Sequence, residues 1–194
     1  MDKMTAIFAI MVVVTVMTTM WFLGGVYESM VSEQIEYETL DELDEGVELR
    51  QYREITVIST VADDSGKAFS RLAGYISGTN KENLKIRMTA PVISTRELSS
   101  VNMSFVLPAG YNMSNVPDSE RSDISIHTIP SRKVAAIKFS GYANDDAVEK
   151  NRALLRSQLD EHGLVTKGDF FLMRYNPPWI PPFLMRNEVA IEVE

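Results

Sequence analysis

The hydrophobic pattern divides the chain into two parts, and the most apolar stretch comes first. Residues 6–26 read AIFAIMVVVTVMTTMWFLGGV and contain no charged side chain. A helix of that length measures about 30 Å, which matches the hydrocarbon core of a bilayer. A cleaved signal peptide is the alternative, but its apolar region is normally shorter and ends in a small-x-small site that residues 22–26 match poorly. We therefore predict a retained membrane anchor, with its flanks, over residues 1–31.

From residue 32 onward the pattern is that of a folded domain with short strands and two helices. Apolar residues at helical spacing predict one helix between a candidate cap at Asp63–Ser65 and Gly78, and another from Asp145 to His162. Because Pro91 lacks an N–H group, its segment is predicted to be an edge strand or a bulge. Period-two alternation and β-branched residues predict strands at 35–39, 47–52, 55–61, 85–92, 101–107, 124–129, 133–139, 170–175 and 189–193.

The order of these elements repeats. Two strands, a helix and two strands occur in residues 47–107 and again in residues 124–193. Repeated units tend to assemble about a pseudo-twofold axis, where each covers the apolar face of the other. We predict an α+β domain over residues 32–194, a distorted antiparallel β-barrel with two flanking helices, preceded by one N-terminal transmembrane helix.

A proline-rich segment separates the last two predicted strands. The sequence NPPWIPPF, residues 176–183, places four prolines around Trp179 and before Phe183. Because proline fixes φ and donates no backbone hydrogen bond, this segment can be neither helix nor central strand. We predict a stiff loop that holds its aromatic side chains at low entropic cost. The local pattern alone favours a packing role, in which Trp179 and Phe183 cap one end of the core.

Charge and residue types exclude several classes of function. The net charge of −8 argues against nucleic acid and anionic membrane surfaces as partners. The chain has no cysteine, which excludes disulfides, thiolate metal sites and covalent c-type haem, and its two histidines make a dedicated transition-metal site unexpected. Neither a nucleophile elbow nor a zinc-protease motif occurs, so we predict that the protein is not an enzyme.

Several motifs resemble those of the SOUL haem-binding protein family. They are YISGTN at 75–80, KIRMTAPV at 85–92, FVLP at 105–108, FSG at 139–141, and NPPW with RNEV across 176–189. They follow the family's order across residues 37–193, whereas the N-terminal anchor is not part of the family pattern. The resemblance implies a distorted β-barrel with two flanking helices and the non-covalent binding of haem or a related tetrapyrrole.

The resemblance also implies where the ligand binds, in a shallow apolar groove beside the first helix of the domain. A flat macrocycle packs on aromatic and methionine side chains, and its propionates pair with a guanidinium. Met185 stands where many relatives have a second basic residue, which weakens the grip on a propionate. The matching residues of this chain are Phe69, Leu72, Ala73, Met88, Trp179 and Arg186.

Neither histidine matches an axial ligand position of the family. His127 lies in an alternating strand whose isoleucines point the other way, so we expect it to face solvent. His162 lies in the last turn of the second helix, where positive charge suits the helix dipole. Met88 or Tyr75 could touch iron, although such residues on an apolar face are more often part of the core. We expect a tetrapyrrole to be held by packing, with its axial ligand undetermined.

Two alternatives to tetrapyrrole binding stay open. The same architecture resembles the effector-binding domains of drug-responsive regulators, which hold apolar cations in a groove between the repeats. A buried Glu188 near Trp179 would favour that function. The other alternative is an interaction scaffold whose pocket is vestigial.

The charges around the apolar run predict the topology. Lys3 precedes the run, whereas four glutamates follow it between residues 28 and 38. Under the positive-inside rule the N-terminus is then cytoplasmic. We predict a single-pass membrane protein whose C-terminal domain is extracytoplasmic.

Overall fold

One antiparallel sheet and three α-helices make up the part of the chain that the computed structural model describes, residues 2–31 and 33–194, without the side chains of residues 25–31. The helices are α1 (Lys3–Val31), α2 (Ser65–Ile76) and α3 (Asp145–Glu161). The strands are β1 (Tyr37–Glu42), β2 (Val47–Tyr52), β3 (Ile55–Ala62), β4 (Val92–Arg96), β5 (Val101–Val106), β6 (Ser125–Ile129), β7 (Arg132–Phe139), β8 (Thr166–Arg174) and β9 (Asn187–Val193). The predicted α+β class is confirmed.

The two domain helices begin and end close to the residues that the sequence indicates. Asp64 caps α2 by accepting a hydrogen bond from the backbone N–H of Lys67 at 2.8 Å. Gly78 follows α2 with a φ of +111°, a conformation that suits glycine. Asn144 caps α3 in the same way, through the N–H of Ala147 at 2.9 Å. Short polar side chains thus satisfy N–H groups that the first helical turns leave unpaired.

The strand order is symmetric with respect to the two units that the sequence predicts. Along the sheet it is β1-β2-β7-β9-β8-β4-β5-β3-β6. Each strand of the unit β2–β5 has a counterpart in the unit β6–β9. If every strand is replaced by its counterpart, the order from β2 to β6 is the same order read backwards. Because β2 pairs with β7 and β3 pairs with β6, the first two strands of each unit lie in different halves of the sheet. Such an order is the one expected of two units related by a pseudo-twofold axis.

The predicted closure into a barrel is wrong. Among the described residues, the sheet ends at β1 on one side and at β6 on the other. The β1 sequence YETLDE is almost wholly exposed and carries three carboxylates. Carboxylates along an edge oppose further pairing, since another strand would desolvate and crowd them. The β1 edge is therefore protected against pairing with a further strand.

The predicted strand at residues 85–92 is also wrong. Strand β4 starts only after Pro91, and it lies inside the sheet between β5 and β8 rather than at an edge. Because proline has no N–H group, the ladder begins with the next residue. The segment before it lies beside the end of α2 instead, where the N–H of Ile86 donates to the carbonyl of Ile76 at 2.8 Å.

Apolar clusters fill both faces of the curved sheet. On one face α2 packs on β3 and β5 around Leu72, and α3 packs on β7, β8 and β9 around Leu155. On the other face a single cluster includes Tyr52 of β2 and Val57 of β3. These strands are second and eighth in the sheet order, so the sheet must curve strongly to bring them together.

Helix α1 precedes the domain and is apolar along most of its length. Over Lys3–Gly24, 22 residues, it is long and apolar enough to cross a membrane, and none of the most apolar window is buried. A signal sequence near an N-terminus can meet the same criteria of length and composition. The helix is therefore either a membrane span or a signal sequence.

Candidate functional site

The exposed side of α2 carries one large apolar side chain of the predicted site. Phe69 packs edge-on against Phe105 of β5, with ring centroids 5.2 Å apart, and is still 41% exposed. Leu72 is fully buried, and Ala73 is half-buried beside the same core. Phe69 therefore offers apolar area to solvent, whereas Leu72 shapes the core behind it.

The segment that follows α2 adds further exposed apolar area. Met88 is 43% exposed and Leu84 is 40% exposed. The buried side chain of Asn80 fixes this segment, because its amide donates to the carbonyls of Tyr75 and Leu84 at 2.9 and 2.7 Å. The helix and the segment after it thus present large, partly exposed apolar side chains that the local hydrogen bonds hold in place.

The proline-rich loop between β8 and β9 holds Trp179 and Phe183 outside the core. The N–H of Gly141 donates to the carbonyl of Pro182 at 2.9 Å, which ties the loop to the end of β7. Ile180 is buried, whereas Trp179 and Phe183 are 59% and 69% exposed. The expectation that the two aromatic residues cap the core is therefore wrong, and Ile180 takes that role.

Both aromatic residues of this loop contact the N-terminal helix. The indole N–H of Trp21 donates to the carbonyl of Trp179, and the ring of Phe22 stacks on that of Phe183 with centroids 6.4 Å apart. Contacts with α1 thus help to place Trp179, whereas Phe69 is placed by contacts with β5. Trp179 and Phe69 therefore lie on different elements, the proline-rich loop and α2.

Arg186 belongs to a buried ionic cluster. Its guanidinium donates to Oε1 of Glu188 from Nε at 2.9 Å and from Nη2 at 2.7 Å. From β2, Arg50 donates to Oε2 of Glu188 at 2.6 Å, and the hydroxyl of Tyr175 donates to the same oxygen at 2.9 Å. A propionate at Arg186 would compete with Glu188, and that role of Arg186 stays a prediction.

The ionic state of this cluster follows from burial and from its charges. Burial disfavours the charged form of Glu188, but the hydrogen bond and charge of Arg50, with those of Arg186, outweigh it and hold the pKa of Glu188 below its ordinary value. Burial, with the charge of Glu188, raises the pKa of the Tyr175 hydroxyl. Glu188 is thus an anion whose charge is neutralised inside the cluster, and Tyr175 is a neutral donor.

The two histidines occupy the places that the sequence predicts. His127 is exposed on β6, the strand at one edge of the sheet. His162 caps the C-terminus of α3, with Nδ1 2.9 Å from the carbonyl of Gln158. Among the described residues, no group of three or more metal-ligating side chains is arranged to hold an ion. Both histidines lie on elements other than α2.

A groove between the starts of α2 and α3 was not predicted from the sequence. It has a volume of about 120 Å³, and β4 and β8 form its floor. Its polar lining includes Ser94, three arginines, Arg96, Arg152 and Arg174, and one carboxylate, Asp145. One sequence signal could have indicated it, because Arg174 ends the apolar strand β8 on the same face as Phe170, where an interior strand normally carries apolar residues.

The fold places the protein in the class of α+β domains with two helices packed on one face of an open antiparallel sheet, and solved structures have a similar fold. The C-terminal domain of EcmrR is similar, with a TM-score of 0.57 at 13% identity, covering 81% of this chain and 98% of that one. A hydrolase from Listeria innocua has a TM-score of 0.54 at 13% identity, covering 76% of this chain and 91% of that one. At such identity the likeness shows the fold alone.

The family follows from the sequence of the same domain. The model of the SOUL heme-binding protein family matches residues 32–192, and this chain belongs to that family. Heme-binding protein 2 of Mus musculus is 26% identical over 179 residues, which cover 80% of this chain and 85% of the relative. Heme-binding protein 2 of Homo sapiens is 28% identical over 145 residues, which cover 68% and 70%. The resemblance found in the motifs is thereby confirmed.

Proposed function

We propose that this protein binds haem or a related tetrapyrrole non-covalently on the apolar surface of α2 and the segment after it, without catalysis. Membership in a family of heme-binding proteins supports the ligand class. The observation that carries the site is the exposure of Phe69, Leu84 and Met88, 41%, 40% and 43%, on α2 and the segment after it. A flat macrocycle would remove this area from water, which contributes about 25 cal/mol per Å².

Each predicted site residue then has a distinct role in the proposal. Phe69, Ala73 and Met88 touch the macrocycle, and Leu72 supports Phe69 from the core. Trp179 contributes from the proline-rich loop. A propionate shares the guanidinium of Arg186 with Glu188. Contact area supplies the affinity in this mode, so the iron needs no side-chain ligand.

A titration with haemin and metal-free protoporphyrin tests this proposal. Full-length protein in a non-ionic detergent is titrated with each, and the Soret band and tryptophan fluorescence are followed. We expect saturable one-to-one binding of both, because packing does not require the metal. Phe69→Asp should weaken both affinities at least about tenfold, since it places a charge under the macrocycle. Val61→Asp, at a position that is 56% exposed on β3, is the matched control and should change neither affinity.

Other outcomes of the titration would point to other functions. Binding of haemin alone, abolished in His127→Ala, would assign an axial ligand and contradict binding by packing. Failure of both compounds to saturate would favour the effector-type module or the scaffold. The effector-type module for apolar cations has little support from Glu188, whose charge is neutralised by two arginines.

We further propose that α1 anchors the protein as a single-pass membrane protein with residues 32–194 outside the cytoplasm. The length and apolar composition of Lys3–Gly24 support a span, and Lys3 before it supports the orientation. Resistance of the membrane-bound protein to carbonate extraction, with protease access to a C-terminal tag from outside, is the expected result. A mature N-terminus beyond residue 26 would instead identify a cleaved signal sequence.

A further inference from the structure

The groove between α2 and α3 has a floor built from two central strands. Ser94 of β4 is the register partner of Leu172 of β8, and Val92 is the partner of Arg174. Because strand residues two apart face the same side, Ser94 and Arg96 join Leu172 and Arg174 on the face that carries the helices. The last residue of β8, a strand at the centre of the sheet, therefore carries a guanidinium where an apolar side chain is expected.

Positive charge is concentrated in this groove, although the whole chain carries a net charge of −8. Arg96 is paired with Asp145 at 2.8 Å, and Arg152 lies 3.6 Å from Glu149 on the exposed side of α3. Arg174 differs from both, because among the residues that the structure describes it has no carboxylate at ion-pair distance. Its Nη1 donates instead to the hydroxyl of Ser94 at 3.1 Å.

Arg174 is thus a partly buried cation with no counter-charge among the side chains that the structure describes. Burial, together with the nearby charge of Arg96, lowers the pKa of its guanidinium from the ordinary value. An arginine has five N–H donors in a planar fork, and a carboxylate accepts two of them at once. The neutral hydroxyl of Ser94 accepts from only one of these donors, so a carboxylate bound at Arg174 would both neutralise and orient its guanidinium.

The rest of the groove limits the size and character of that anion. Its volume of about 120 Å³ is close to that of a cavity that accommodates benzene, about 150 Å³, and far below the space that a tetrapyrrole needs. Phe170, Leu172, Val101 and Val148 supply apolar walls beside the arginines. We propose that this groove binds a small amphipathic acid, a carboxylate on a short aliphatic or aromatic body, with Arg174 as the anchoring cation. This site is separate from the tetrapyrrole surface proposed above.

Benzoate and its neutral analogue benzamide are the probes that test the proposal. Each is titrated into full-length protein in a non-ionic detergent, followed by calorimetry and by the side-chain Nε–H resonances of the arginines. Benzoate should bind one-to-one and shift the Arg174 resonance, whereas benzamide should bind at least about tenfold more weakly, because the ion pair is lost. Equal affinities for the two compounds, or no saturable binding of benzoate, would overturn the proposal.

Variants show whether the arginines are responsible. Arg174→Gln should weaken benzoate binding at least about tenfold. Arg152→Glu, at the half-exposed rim, should weaken it as well and provides a test that does not disturb the interior should Arg174→Gln fail to fold. Lys150→Gln, on the exposed side of the same helix, is the matched control and should bind like the unaltered protein. Undiminished binding in Arg152→Glu and Arg174→Gln would rule out the groove as the site.

Haemin separates a free acid from the propionate of a tetrapyrrole as the occupant. Benzoate at saturation should leave haemin binding unchanged, and Phe69→Asp should lose haemin but keep benzoate. Displacement of benzoate by haemin at one equivalent would show that the groove receives a propionate and would overturn a separate site. Phe69→Asp tests haemin binding, and Arg174→Gln tests benzoate binding. The result for the groove can therefore be interpreted even if the tetrapyrrole proposal fails.

Discussion

Glu188 illustrates how single residues carry charge in the interior of this protein. Glu188 and Arg50 are 0% and 1% exposed. They form a hydrogen-bonded ion pair, although 138 positions separate them in the sequence. Taking both charges out of water is costly, so the pair is no gain over an apolar pair of the same volume. Removing Glu188 is different, because it leaves the buried Arg50 with only the partly exposed Glu48, 2.8 Å from its Nε, as a counter-charge. The cluster therefore makes the fold depend on each of its members.

Glu188→Gln should strongly destabilise the protein. The amide is nearly the same size but leaves Arg50 without its main counter-charge, a loss of about 3–5 kcal/mol in the free energy of unfolding. Urea denaturation at neutral pH measures it. Glu54→Gln, at an exposed position, is the control and should change stability by less than about 0.5 kcal/mol. A loss no larger than that of the control would show that the pair is dispensable.

The same residue gives the stability a defined pH dependence. The pKa of Glu188 is lower in the folded state than its ordinary value of 4.5, so ionised Glu188 stabilises the fold. This stabilisation is complete above that value and is lost as the pH falls through the lower folded-state pKa. We expect the free energy of unfolding to decline below about pH 4.5, with a shallower decline in Glu188→Gln. Parallel declines in the two proteins, measured from pH 7 to pH 3, would assign the acid sensitivity to other carboxylates.

At residue scale the sequence predicts the local features and misses the distant ones. The solvent exposure of His127 and the terminal position of His162 follow from strand alternation and helix ends, which are local. The sequence also marks Glu188 as the one buried acid to consider near Trp179. Its neutralisation by Arg50 could not be foreseen, because the β2–β7–β9 order that brings them together is set by tertiary pairing.

At the scale of elements, α2 is the helix on which the proposed tetrapyrrole surface depends. Its start was predictable because a cap acts over three residues, from Asp64 to Lys67. The conformation of residues 85–92 was not predictable, because a strand and an extended segment that lies against a helix show the same alternation of apolar and polar residues. Only the position of Pro91 separates the two, and it places the start of β4 one residue later.

Asp64→Ala and Asp63→Ala should differ in their effects on α2. The Asp64 carboxylate satisfies a backbone N–H, so its loss should lower the free energy of unfolding by about 0.5–2 kcal/mol. Asp63 makes an ion pair with Lys67 that is fully exposed, so solvent screens it and its loss should cost much less than the loss of the cap. Denaturation of both variants under one set of conditions gives the comparison, and equal losses would contradict the capping role of Asp64.

At the scale of the whole molecule, the two repeated units interlock. The repeat and its two helices could be predicted, because they are visible in the order of hydrophobic periods. The open edges and the groove could not, because they depend on how far the sheet curves and on which strands meet at its centre. Strand β2 has its partner β7 in the second unit, and β4 has its partner β8 there.

Residues 32–122, produced alone, should therefore not fold. The fragment keeps α2 with β3 and β5, and β1 beside β2, but it removes β7, β6 and β8, which are partners of β2, β3 and β4. It also loses much of the apolar cluster on the face that carries no helices. Far-UV circular dichroism and amide chemical-shift dispersion measure folding. Mixing with residues 123–194 should restore the spectrum of the joined domain. A dispersed spectrum for either fragment alone would show that the units are independent.

The short connection between β2 and β3 has a consequence for the origin of this architecture. Two residues join strands that stand second and eighth in the sheet, so each unit lends its first strand to the other. Two separate copies of one ancestral unit would make the same exchange, and the present fold has the geometry of such an intertwined pair with its chains fused. A pair of identical chains would carry every side chain twice, whereas a single chain lets its two halves differ. Here β4 ends in Arg96, which is paired with Asp145, and β8 ends in Arg174, which has no carboxylate partner among the described residues.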